Sequence, residues 1–397
     1  MGRGGERWHG LFGPVLAAFC GLLTGVGMGR FGYPPLIPAM VEAGWATPTT
    51  LHLAGAFNLA GYIVGAGAAL ASARAMGVRP AIALSAALAI MSFAFSAVPL
   101  PAWLFIALRA LSGATGGVLM IVIPPVIANV VAPSHRGRAG GLAFAGIGTG
   151  FVLSGTAVPV FASAGPGAAW LALAACLAVT STVMLALLPR SPPPEAARPG
   201  SAAPAWRRDP AFLGLAAAYC GSAIGYIPHT LFFVDHVARD LGYGLATGGW
   251  IWVGAGVTAV LAPMVAGLAA DRFGYAPVLR IILALMTIGA FIPALTHNLA
   301  LLTLSAMMTA GVMVGLGFST AGRTREIVGA EAHTAAWAAQ TVAFAVMQAG
   351  AAYGFTALLA ATGSHRLTFV LAGTIMAGGL ALELATARKR RPGGGRP

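Results

Sequence analysis

Two arginines inside otherwise apolar runs have the strongest claim to chemistry in this chain. Arg30 lies in residues 11–40, LFGPVLAAFCGLLTGVGMGRFGYPPLIPAM, and Arg109 lies in residues 101–131. Both runs exceed the roughly 20 residues that cross a bilayer as a helix. Counting 1.5 Å per residue, Arg30 falls about 28 Å along a span of about 45 Å, and Arg109 about 12 Å into its own. A cation at such depth is costly, so it faces protein or water and often marks a transport path. The guanidinium carries five donors in a planar fork that matches a carboxylate. One reading therefore makes Arg30, with Arg109, the binding group for an anionic or carboxylate-bearing solute. The other makes both structural, bonded to backbone carbonyls freed near Pro34, Pro35 and the glycines, with Arg109 leaning to structure or gating.

The remaining polar side chains in cavity-prone runs are Tyr33, Asn58, Tyr62, Tyr219, Tyr226, His229, Gln340, Gln348 and Tyr353, of which Tyr33, Asn58, Tyr226, His229, Gln340 and Gln348 are taken as candidate substrate contacts. His229 can change charge near neutral pH, which makes it the in-membrane candidate for proton coupling. A hydrogen bond between helices is the favoured reading of it. Asp and Glu fall at the ends of the apolar runs or beyond them, with Glu42, Asp235 and Asp240 outside. No residues have the spacing of a metal site or a catalytic triad, so neither an enzyme nor a cofactor is expected. Cys20, Cys176 and Cys220 read as small packing residues. Gly25-Val-Gly27-Met-Gly29 lacks the strand, helix and lysine of a nucleotide loop.

The elements that must position these groups are membrane helices. The chain is 58% hydrophobic and only 8% charged, where soluble domains carry about 25% charge. Its mean hydropathy is +0.83. Twelve apolar runs emerge, at 11–39, 50–71, 79–98, 101–131, 138–161, 168–188, 211–234, 244–270, 277–296, 298–320, 333–360 and 365–386. The net charge of +13 would suggest nucleic acid in a soluble protein. Here the cations sit between the runs. With the N-terminus cytoplasmic, only Arg239 and Arg366 of the 23 Lys and Arg fall in outer loops, and only Arg30 and Arg109 within spans. The positive-inside rule thus places both termini in the cytoplasm.

The Pro-, Ala- and Arg-rich stretch Pro189–Pro210 reads as a cytoplasmic linker. It divides the chain into a six-helix bundle at 1–188 and a second at 211–397, which ends in a short basic tail. The halves repeat at an offset of 200: Ala18-Phe19-Cys20-Gly21 with Gly25 matches Ala218-Tyr219-Cys220-Gly221 with Gly225, and Ala143-Phe144-Ala145 with Gly150 matches Ala343-Phe344-Ala345 with Gly350. Nested repeats of this kind build many secondary transporters. Gly61–Gly65, Gly113–Gly117 and Gly146–Gly150 have the spacing that lets helices cross closely.

These features resemble the major facilitator superfamily. Gly267-Leu-Ala-Ala-Asp271-Arg272-Phe273-Gly274 is similar to its cytoplasmic loop motif, and Arg109-Ala-Leu-Ser-Gly113 to its fourth-span motif. The counterpart loop Ser72–Arg79 lacks the acidic residue, and the antiporter Gly-Pro pair of the fifth span is absent. Gly27-Met-Gly29-Arg30-Phe31-Gly32-Tyr33 with Pro38-Ala-Met40, followed by Asn58-Leu-Ala-Gly61-Tyr62, resembles the bacterial YbfB/YjiJ-type transporters. The resemblance implies an all-α polytopic fold, with 12 transmembrane helices in two bundles, in the bacterial inner membrane. It implies alternating access by a monomer, with Asp271 and Arg272 at a cytoplasmic gate. The expected function is secondary transport of a small organic anion across the bilayer, with protons as a candidate coupling partner. Export of cationic or amphipathic compounds, or a receptor or scaffold without transport, are the alternatives.

Overall fold

A computed structural model describes residues 5–131, 136–189 and 205–388. Most of the expected linker, the basic tail and the N-terminal Arg3 lie outside the described residues. The described chain is helical, with no strand. Eleven helices are long and apolar enough to cross a membrane: Pro48–Met76, Val78–Phe95, Ala102–Pro124, Ala139–Ala162, Pro166–Leu187, Pro210–Asp240, Gly244–Phe273, Tyr275–Leu295, Leu299–Gly329, Ala335–Thr362 and His365–Thr386. They are the second to twelfth spans. A shorter apolar helix, Phe12–Met28, begins the first span.

The first span is broken, and its prolines explain where. The helix Gly5–Leu22 widens into a π-helical turn, Leu23–Met28, and resumes only at Leu36–Glu42. Pro34 and Pro35 have no N–H to donate. The Phe31 carbonyl therefore lacks its helical partner at Pro35. The Tyr33 N–H turns to the Arg30 carbonyl, which leaves the Gly29 carbonyl free as well. The seventh span is irregular at the matching depth, with a π-helical turn at Pro228–Phe232. The offset of 200 seen in sequence thus recurs as paired irregularities.

Glycine sets the closest helix contacts. A Cβ on Gly61 would meet the Ala110 backbone, one on Gly65 the Ala114 backbone, and one on Gly113 the Asn58 backbone. The second and fourth spans therefore touch backbone to backbone, a packing that small residues permit. Gly146 approaches Phe19 in the same way, and Gly150 approaches Gly27. Between the halves, Gly155 of the fifth span lies against Gly249 of the eighth, and Gly256 against Val152. On another side of the interface, Phe57 of the second span meets Tyr353 of the eleventh edge to face, at 5.3 Å.

The tenth and eleventh spans differ from expectation. The tenth span runs on to Gly329, where φ is 81°, and the eleventh follows from Ala335, so the connection between them is shorter than expected. Glycine alone adopts that conformation without steric cost.

Candidate functional site

The break in the first span creates the site. Three donors converge on the freed Gly29 carbonyl: Arg109 Nη2 at 2.9 Å, Ser112 Oγ at 3.0 Å and Asn58 Nδ2 at 3.2 Å. Asn58 Nδ2 also donates to the Arg109 carbonyl at 3.0 Å, tying the second span to the fourth. The freed Phe31 carbonyl accepts from Ser154 Oγ at 3.2 Å and from Trp252 Nε1 at 3.1 Å. Trp252 comes from the other half and stacks on Phe151 at 4.4 Å. Trp252 is thus a hydrogen-bonded tie between the halves.

Arg109 is fully buried. Its guanidinium carbon lies 4.4 Å from the centroid of Tyr33, 5.3 Å from Phe93 and 5.7 Å from Trp170. Aromatic faces partly compensate a buried cation through their quadrupoles. Tyr33 is itself fixed, since its hydroxyl donates to the Leu51 carbonyl at 2.8 Å.

Arg30 is less buried than Arg109. Its Nη2 donates to the hydroxyl of Tyr226, a residue of the seventh span, and that hydroxyl donates to Gln348 Oε1 at 2.6 Å. This relay joins the broken first span to the seventh and eleventh, across the two halves. Among the described residues no carboxylate pairs with Arg30. A small cleft opens beside it, with room for about one water molecule in this state. Arg30, Tyr33, Asn58 and Arg109 line it from the first half, and Thr230 and Leu231 from the second. Six of the expected site residues are thus gathered: four on the cavity wall, with Tyr226 and Gln348 reached through Arg30.

His229, Gln340, Asp271 and Arg272 are placed elsewhere. His229 is fully buried, with Nε2 2.7 Å from Ser305 Oγ, and it stacks on Phe233 at 5.0 Å. Ser305 Oγ donates to the Gly289 carbonyl at 2.7 Å, so its hydrogen is spent and His229 Nε2 acts as the donor. This is the hydrogen bond between helices weighed above. Gln340 Oε1 accepts from Thr324 Oγ1 at 2.7 Å, linking the tenth and eleventh spans. Asp271 and Arg272 are exposed, and Arg272 lies over Phe273 at 5.5 Å. At that end Glu326 makes the tie instead. It accepts from the Tyr275 backbone N–H at 3.1 Å and from Arg323 Nη1 at 2.8 Å.

One acidic residue lies deeper than the sequence indicated. Asp235, expected outside the seventh span, is fully buried within it. Arg239, one turn on, donates to it at 2.5 and 2.7 Å. His52 Nε2, from the second span and the other half, lies 3.3 Å from Asp235 Oδ2. The span continues six residues past the expected edge, to Asp240, because Arg239 balances the Asp235 charge in place. The Asp235/Arg239 spacing of four, which puts both on one helix face, was the available sequence signal.

Comparison with curated proteins found no match. The family model described as "Uncharacterised MFS-type transporter YbfB" matches residues 22–384. That range takes in both halves, the broken first span and the cavity between them. The chain therefore belongs to the YbfB-type family of major facilitator superfamily transporters.

Proposed function

We propose that this transporter carries a small organic anion bearing a carboxylate, and that Arg30 is the group that grips it. The observation carrying the reading is the setting of Arg30: it lines the cavity between the halves, has no acidic partner among the described residues, and bonds to Tyr226 of the opposite half. Arg109 adds a second positive charge to the same wall. An arriving carboxylate would compete with the Tyr226 hydroxyl for the Arg30 donors, because charge-assisted hydrogen bonds are the stronger kind. Drawing Arg30 from Tyr226 loosens one tie between the halves, which couples binding to the rocking of alternating access. Export of a cation fits less well, because Asp235, the buried acid nearest this region, is committed to Arg239 and His52.

If protons drive the cycle, the His52–Asp235 contact suits the task better than His229, because it spans the two halves. His229 then serves to position the seventh span against the tenth. The bias of cations toward the connections on one side of the membrane supports an inner-membrane protein with cytoplasmic ends.

A thermal-unfolding screen of the purified protein against carboxylates and organic cations tests the proposal. At least one carboxylate should raise the unfolding midpoint, and Arg30→Ala should abolish that rise. Stabilisation by cations alone, undiminished in Arg30→Ala, would overturn it.

A further inference from the structure

The bundle end away from the chain termini carries a second cluster, separate from the cavity. His236 and Asp240 sit one turn apart at the end of the seventh span, and His365 begins the twelfth. His236 Nδ1 lies 3.2 Å from Asp240 Oδ2, and His365 Nδ1 lies 2.6 Å from that same oxygen. The three donor atoms fall within 4.8 Å of one another. The two imidazoles stack, with centroids 4.6 Å apart and planes at 28°, and so present both Nδ1 atoms on the same side.

We propose that His236, Asp240 and His365 form a binding site for a divalent transition cation of the Zn²⁺ type. Imidazole nitrogen and carboxylate oxygen are its preferred ligands outside thiolates. In a tetrahedral site with bonds of 2.0–2.1 Å, neighbouring ligand atoms are ~3.3 Å apart. The His236–Asp240 separation already matches, His365 withdraws by ~0.7 Å from Asp240, and the two imidazole nitrogens, within 4.8 Å of each other, settle to the same spacing. The charges agree as well. In the ion-free protein each Nδ1 faces the Asp240 carboxylate through its hydrogen, so an arriving ion takes the place of those hydrogens, which pass to Nε2 or to solvent. Arg239, the adjoining cation, is taken up by Asp235. The side chain of Asp240 is 35% exposed, which leaves a way in for the ion and room for water in the fourth position. A bound ion joins the outer ends of the seventh and twelfth spans, one turn beyond the Asp235–His52 contact.

The purified full chain, freed of metal by a chelator, is titrated with Zn²⁺ against a chromophoric competitor, and with Co²⁺ for its visible spectrum. One equivalent should bind, Co²⁺ should give the intense bands of four-coordinate geometry, and the unfolding midpoint should rise. His365→Gln and Asp240→Asn should each weaken binding by about tenfold or more, whereas His333→Gln should not. Size-exclusion profiles establish that each variant folds, and His236→Asn replaces any that does not. Failure to bind Zn²⁺, or equal binding by His365→Gln and Asp240→Asn, overturns the proposal and leaves the cluster a hydrogen-bonded staple between two helices.

Discussion

Replacing His52 by alanine should open the far end of the bundle. His52 is the second-span partner of Asp235, a residue of the other half, and it lies edge to face on Phe232 at 4.7 Å. Losing a polar contact to a charged group costs about 1.5 kcal/mol, and losing an aromatic edge contact adds about 0.5 kcal/mol. The Asp235–Arg239 pair lies wholly within the seventh span and survives the change. The loss of about 2 kcal/mol therefore falls on the contact between halves, and lowers the ratio of closed to open forms by about 30-fold. A protein closed at this end by about 100 to one would fall to about three to one. Spin labels at the exposed positions Ala43 and Ala361, one on each half, read this directly as a distance distribution. A longer-distance population should appear in His52→Ala and be small in the parent. An unchanged distribution would refute the reasoning and reduce His52 to a packing residue.

Two further substitutions separate packing from function. Gly61→Leu should prevent recovery of folded protein, because even a Cβ there meets the Ala110 backbone; Gly67→Leu, which faces open space, should unfold like the parent. Overpacking of this kind costs about 1–3 kcal/mol or more, and size-exclusion and thermal unfolding report it. Arg109→Met keeps most of the volume inside the aromatic cage and removes a buried charge, so stability should stay within about 1 kcal/mol of the parent. Any carboxylate that stabilises the parent should bind this variant more weakly, by the same unfolding assay, if Arg109 acts on the cavity. Undiminished binding would assign Arg109 to structure alone.

The architecture was legible because a bilayer allows few solutions. Long apolar runs must close their backbone hydrogen bonds as helices, and the cations mark the connections. The edges were less legible where polar groups satisfied one another. Asp235 seemed to end the seventh span because one acidic residue in apolar sequence is costly, yet Arg239 neutralises it in place and His52 lies against it. Half of that explanation is local and could be read from the spacing of four. The other half comes from a residue in the opposite half of the chain, and no local pattern carries it. Gly329 was missed for another reason: a single residue at positive φ turns the tenth span toward the eleventh through a connection shorter than the one expected.

The cavity shows the same division between local and distant causes. Pro34 and Pro35 announce that carbonyls upstream of them lose their partners, and Arg109 and Asn58 were the polar residues available to reach them. What sequence could not distinguish was the different fate of the two arginines. Arg109 is held by the Gly29 carbonyl and three aromatic faces, all within its own half. Arg30 instead reaches across to Tyr226 and, through it, to Gln348. A residue whose partner belongs to the other half must change that partner whenever the halves move apart. A residue whose partners are all in its own half need not. That distinction, more than burial or charge, is why we propose Arg30 as the group that meets a substrate and leave Arg109 to shape the wall around it.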